Sequence, residues 1–238
     1  MKLIFLGTGD AFCEGGRANT SILIDSDPRI LLDCSPQAVY NLRRGGYKVS
    51  DVEYILISHL HGDHAGGLPF IILTLRFREQ GRIVVLGPSG TRAFVEMVYG
   101  VYYGMDDVSS IMEFRPFGGS LPFELAHMRA DHPVEAYMYR IGIGGRSIVY
   151  TGDTGKLDLS KFAEGADVLI HEASETDEGK ARTYGHSTPL QAATAAAEAQ
   201  VGRLVLVHRP KLDEETLLQV RRRFPNTIVP DDMDVIGL

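Results

Sequence analysis

The sequence is short of cysteine, of long apolar runs and of positive charge, and each shortage removes a class of protein. Only two cysteines occur in 238 residues, Cys13 and Cys34, with no CxxC pair. That excludes a disulfide framework and fits a reducing compartment, so the expected location is cytoplasmic. Either thiol reads more simply as a small buried hydrophobe than as a metal neighbour. No apolar run approaches the roughly 18 residues of a membrane span. Met1-Lys2 leads straight into Leu3-Ile4-Phe5-Leu6, too short for the apolar part of a secretory signal. A formal net charge of −7 argues against a protein that coats nucleic acid. It leaves room for a nuclease, because bound divalent cations would supply positive charge where a phosphate docks. There is no low-complexity segment, solenoid repeat or linker, so residues 1–238 are expected to form one α/β domain.

What the chain does have is a dense group of metal-binding side chains. The apolar run Tyr54 to Ile57 reads as a short buried strand. It ends in Ser58, then His59-Leu60-His61-Gly62-Asp63-His64. His59 and His61 are two apart and point the same way in an extended segment. Asp63 and His64 are adjacent, face differently, and could serve a second ion. Imidazole with carboxylate suits zinc, with manganese or iron as alternatives. Gly66-Gly67 lets the backbone turn tightly beside these groups.

The rest of the chain mixes strands with helices. Strand signals cover residues 2–6, 20–25, 30–33 and 83–86. Runs at 111–117, 123–131, 136–143 and 147–151 read as a meander, and further strands end at His171-Glu172 and at His208. Helices are expected from Ser35-Pro36 through Arg44, with serine as N-cap, over 68–79, 90–99 and 159–163, and from the capping box Thr188-Pro189-Leu190-Gln191 onward. Residues 213–224 form another, with acids first and Arg221-Arg222-Arg223 last, as the helix dipole favours. In the loop 13–19, Arg17 and Asn19 are either substrate contacts or solvated groups.

The H-x-H-x-D-H motif at a strand end resembles the metallo-β-lactamase-fold hydrolases. The resemblance implies a four-layer αββα sandwich of two mixed sheets with metals at one edge. It implies that His59, His61 and His132 hold one ion, that Asp63, His64 and His208 hold a second, and that Asp153 in Gly152-Asp153-Thr154-Gly155 bridges them. His127 is the rival to His132, which has the family's spacing to Tyr137. The stretches GTGDAFCEGGRANTSILID, HEAS at 171–174, GHSTP at 185–189 and LVLVHR at 204–209 are similar to the ribonuclease Z branch. By that likeness Glu172 and His186 assist phosphodiester cleavage as a proton relay and phosphate contact, and Asp63 orients or deprotonates the attacking water. The expected partner is a small phosphodiester or RNA-type substrate, and homodimers are common in the branch. One departure stands out. The 21 positions from His132 to Asp153 leave no room for the long arm of tRNA-processing members. The implied function is therefore phosphodiester hydrolysis of nucleotides or RNA with two divalent ions, zinc by preference. Hydrolysis of an ester, lactone or thioester, tRNA 3′ processing, a di-iron redox centre and a non-catalytic metal module are the alternatives.

Overall fold

Most strands are apolar on both faces, and that dictates layers. In the computed structural model, which describes residues 1–105 and 107–238, β1 (Lys2–Gly7) sends Leu3 and Phe5 one way and Ile4 and Leu6 the other, all buried. A strand buried twice over needs a layer on each side.

Two mixed sheets supply those layers. The first holds β1, β2 (Ser21–Asp25), β3 (Ile30–Leu32), β4 (Tyr54–Leu56), β5 (Ile83–Leu86) and β6 (Met112–Phe114). The second holds β7 (Glu124–Arg129), β8 (Tyr137–Ile143), β9 (Arg146–Tyr150), β10 (Val168–Glu172), β11 (Leu204–Val207) and β12 (Thr227–Ile228). The last strand, β13 (Val235–Gly237), returns to the first sheet beside β1, giving the orders β13-β1-β2-β3-β4-β5-β6 and β12-β11-β10-β9-β8-β7. Pairing is antiparallel from β13 to β3 and parallel from β3 to β6. In the second sheet β7–β8–β9 is an antiparallel meander, and β9 to β12 run parallel.

The helices are α1 (Ala38–Arg44), the single turn α2 (Gly62–Ala65), α3 (Leu68–Phe77), α4 (Thr91–Tyr103), α5 (Glu178–Tyr184), α6 (Pro189–Glu198) and α7 (Glu214–Arg223). Apolar residues of α1, α3 and α4 pack on Ile4, Leu23, Ile55 and Val85 of the first sheet. Those of α6 and α7 pack on Val149, Leu169 and Leu204 of the second. Between the sheets Leu3, Phe5, Ile22 and Leu56 meet Tyr139, Ile141, Ile170 and Val205. The result is an αββα sandwich, as the motif's resemblance implies.

Hydrogen bonds crossing between the sheets fasten one edge. Tyr139 Oη donates to Ile57 O at 2.6 Å, Tyr137 N to Ser58 O at 2.9 Å, and Tyr150 Oη to Asp33 Oδ2 at 2.6 Å. At this edge β4, β9, β10 and β11 all end, and the polar residues that follow them are brought together. Two glycines make the approach close enough. A Cβ on Gly67 would lie 2.1 Å from Ser35 O, and one on Gly152, at φ 54°, would lie 2.5 Å from the Ser58 Cβ.

Three sequence expectations change. The helix expected from Ser35 starts at Ala38, and its N-cap residue, Gln37, makes no side-chain cap. The Ser35 amide is instead drawn to Ser21 Oγ at 2.8 Å. The run at 111–117 is not part of the meander: its strand, β6, adds parallel to β5 at the edge of the other sheet. Residues 159–163 make one turn, closed by Ala163 N to Leu159 O at 2.8 Å, and no helix. Conversely α5 has no counterpart in the sequence reading.

The box at α6 forms with both bonds, Gln191 N to Thr188 Oγ1 at 3.2 Å and Thr188 N to Gln191 Oε1 at 2.9 Å. Thr188→Ala is expected to cost about 1 kcal/mol of stability. Urea unfolding should show a lower midpoint with an unchanged slope.

Candidate metal centre

Extended backbone after β4 places His59 and His61 on one side, and the single turn α2 swings Asp63 and His64 to the other. The loops after β7, β9 and β11 deliver His132, Asp153 and His208. All seven residues expected from the sequence as ligands come together in two adjoining groups. In the first, His59 Nε2 lies 3.0 Å from His61 Nδ1, His132 Nε2 lies 3.4 Å from His61 Nδ1, and Asp153 Oδ2 is 3.7 Å from His59 Nε2. In the second, Asp63 Oδ2 is 3.2 Å from both His64 Nε2 and His208 Nε2, and Asp153 Oδ1 is 3.3 Å from His64 Nε2. Asp153 belongs to both groups, one oxygen towards each.

These separations fit a metal. Four N and O ligands held tetrahedrally at zinc-like bond lengths lie about 3.4 Å from one another. His64 Nε2 and Asp153 Oδ1 are also buried without any hydrogen-bond partner, a costly arrangement unless a cation takes their lone pairs. The rival His127 is outside the centre. It is exposed on β7 and stacks on Phe117, with ring centroids 4.2 Å apart.

The electrostatics divide the four histidines into two pairs. Burial pushes the His59 and His61 rings below the usual imidazole range, towards the neutral form that ligates. His64 and His208 are also buried, which opposes charging them. Facing Asp153, with Asp33 beside one and Asp63 beside the other, they are nevertheless held above that range. Burial opposes ionising Asp63 and Asp153, yet His208 and His64 hold both far below the carboxylate range.

Two buried carboxylates hold the centre from behind. Asp33, at the end of β3, accepts from Ser58 N at 2.6 Å, Ser58 Oγ at 2.7 Å, Tyr150 Oη at 2.6 Å and His64 Nδ1 at 2.7 Å. Burial and Asp33 push the Tyr150 hydroxyl well above its usual range, so it stays a donor. Asp33 thereby fixes His64 with Nε2 towards the centre. Its role escapes the sequence reading, where it appears only as the end of an apolar strand; the one available signal is a carboxylate closing Ile30-Leu31-Leu32.

Glu172, at the end of β10, plays the matching part in the second sheet. It accepts from Thr154 N, Ser187 N, Ser174 N, Ser174 Oγ and His186 Nδ1, at 2.6 to 3.1 Å. It therefore steadies the loop that carries Asp153 and holds the His186 ring with Nδ1 towards itself. Ser174, also missed by the sequence reading, lies 2.8 Å from His208 Nδ1. His186 Nδ1 stands 3.9 Å from Asp153 Oδ2, at the border of the centre. Asn19 is no substrate contact: it is buried and donates to Asp10 O at 2.6 Å.

The family described as a β-lactamase superfamily domain matches residues 28–209. Ribonuclease Z of Picrophilus torridus is 30% identical, over 87% of this chain and 85% of that protein. Ribonuclease Z of Metallosphaera sedula is 29% identical over the whole chain and 99% of that protein. That alignment runs to 289 positions against a chain of 238, so the relative carries stretches this chain lacks. Among solved structures, human tRNase Z, short form, superposes with a TM-score of 0.84 at 26% identity, covering 100% of this chain and 99% of that one. The chain belongs to the β-lactamase superfamily, and within it is a ribonuclease Z-like hydrolase of the metallo-β-lactamase fold.

Asp33→Asn keeps the size of the side chain but loses an acceptor for His64. It is expected to weaken metal binding about ten- to a hundredfold with the fold intact. Competition against a chromophoric chelator measures this, and unchanged affinity would remove Asp33 from the account.

Proposed function

We propose that residues 1–238 act as one hydrolase domain whose two ligand groups hold two divalent ions, zinc by preference, and which cleaves phosphodiesters of nucleotides or RNA. The observation that carries the reading is the Glu172–His186 pair set against the ligand cluster. His59, His61, His132 and Asp153 would hold one ion, and Asp63, His64, His208 and Asp153 the other. Bound there, divalent ions offset the charge of a phosphodiester and lower the pKa of water at the site.

The chain's own groups supply the proton handling. Asp63, whose Oδ2 lies 3.2 Å from His208 Nε2, orients the attacking water or takes its proton. Burial works against a charge on His186, but the hydrogen bond and charge of Glu172 outweigh it and push the ring up to about 9. Glu172 thus biases the His186 ring towards its protonated form. With Nδ1 committed to Glu172, Nε2 is left to give a proton to the leaving oxygen.

The names of the relatives, ribonuclease Z and tRNase Z, support phosphorus as the target. Between His132 and Asp153 lie only β8, β9 and their turns, so the reading is of a phosphodiesterase without a tRNA-gripping arm. Substrate class follows from that: nucleotides and RNA ends ahead of whole tRNA.

Leaving-group chemistry gives the test. p-Nitrophenolate departs without a proton, whereas a ribose alkoxide does not. His186→Ala should lower turnover of a dinucleotide by about 10²–10⁴-fold and that of bis(p-nitrophenyl) phosphate far less, with metal content unchanged. Equal losses on both substrates would refute the assignment of His186. Activity of metal-loaded protein on lactones or thioesters, and on neither phosphodiester, would refute the choice of phosphorus.

A further inference from the structure

A cleft of about 490 Å³ opens beside the centre, and His186 lines it. Its other polar side chains come from separate elements: Asp131 after β7, Lys156 after β9, Glu178 and Arg182 on α5, and Gln191 on α6. Lys156, Arg182, Asp131 and Glu178 are all exposed. Glu178 and Arg182 are one helical turn apart, a spacing that commonly closes an ion pair. Arg92 and Glu96 on α4 do so, at 2.8 Å. Among the described residues no ion pair engages either Arg182 or Lys156. The cleft therefore offers two uncommitted cations and two uncommitted carboxylates next to the residue proposed to protonate the leaving oxygen.

We infer that this cleft is a nucleotide subsite, in which Lys156 and Arg182 hold the phosphate next to the one being cleaved and Asp131 and Glu178 accept hydroxyls of the sugar between them. The inference rests on the phosphodiesterase reading and adds to it a substrate that carries a second phosphate. A guanidinium and an ammonium are the usual phosphate partners, one a planar fork and the other a point charge. The two carboxylates keep the cleft from being a general trap for free anions. They favour instead a ligand that brings hydroxyl donors with its phosphate, as a ribonucleotide does. The volume lies within the range of small-molecule clefts and suits one nucleotide.

The test compares uridylyl-uridine with and without a terminal phosphate, prepared in both the 5′ and 3′ forms, alongside bis(p-nitrophenyl) phosphate. Metal-loaded protein is expected to prefer one phosphorylated form over the plain dinucleotide by about tenfold in kcat/KM, as charge-assisted contacts allow. The double variant Lys156→Gln with Arg182→Gln should lose that preference while hydrolysing bis(p-nitrophenyl) phosphate as before. A preference that survives the double variant overturns the inference, as does an equal loss on all the substrates. Calorimetric binding of the same dinucleotides separates this result from the failure of the parent reading. If no phosphodiester is hydrolysed, the phosphodiesterase proposal fails, and the subsite is judged by binding alone. A binding preference for the terminal phosphate that vanishes in the double variant supports it, and equal binding of the dinucleotides overturns it.

Discussion

Imidazole nitrogens and carboxylate oxygens crowd to within 3.0 to 3.7 Å of one another at a buried edge, and everything else in the structure answers to that crowding. Some of these groups pair with one another, as His208 Nε2 does with Asp63 Oδ2 at 3.2 Å, but not all do. His64 Nε2 and Asp153 Oδ1 face inward with no hydrogen bond although they are 3.3 Å apart. Left alone, the arrangement is expensive, because buried lone pairs and charges lose their water. A cation at each focus would remove the cost, and the binding free energy of the metal would then become part of the stability of the edge.

The sandwich exists in the form that makes this crowding feasible. Each sheet ends one strand in a buried carboxylate, Asp33 after β3 and Glu172 at the close of β10. Asp33 collects Ser58, His64 and Tyr150, so it ties the motif of the first sheet to a strand of the second. Glu172 collects Thr154, Ser174, Ser187 and His186, so it sets the loop of Asp153 and the His186 ring together. Positioning and chemistry are coupled through these hubs: a change at either would move a ligand before it moved the substrate. The strands that carry the hubs, β3 and β10, are buried along their whole length, and cover on both faces is what holds the two hubs in register.

Legibility in the sequence follows distance along the chain. His59, His61, Asp63 and His64 were readable because the chemistry is local, and His132, Asp153 and His208 because the resemblance asks for later ligands at strand ends and each stands at one. Asp33 and Ser174 were not. The partners of Asp33 lie as far off as Tyr150 and its one local signal is that it closes an apolar strand, while Ser174 stands in the HEAS stretch with no role of its own marked there. The alternation in 111–117 announces a strand but not its neighbour, since period-2 burial says nothing about which sheet edge is open. The short helix α5 went unread because Gly179 weakens its propensity. Its cap, Asp177 accepting from Lys180 N at 2.8 Å, is what secures it.

Two ion sites sharing Asp153 are what the proposed chemistry requires. Metal content per chain, measured by inductively coupled plasma mass spectrometry after equilibrium dialysis, tests this most directly. The account predicts two ions per chain in the unaltered protein, one in His61→Ala, one in His208→Ala, and weakened retention of both in Asp153→Ala. A single ion per chain in the unaltered protein, or loss of both ions together in each histidine variant, would contradict it.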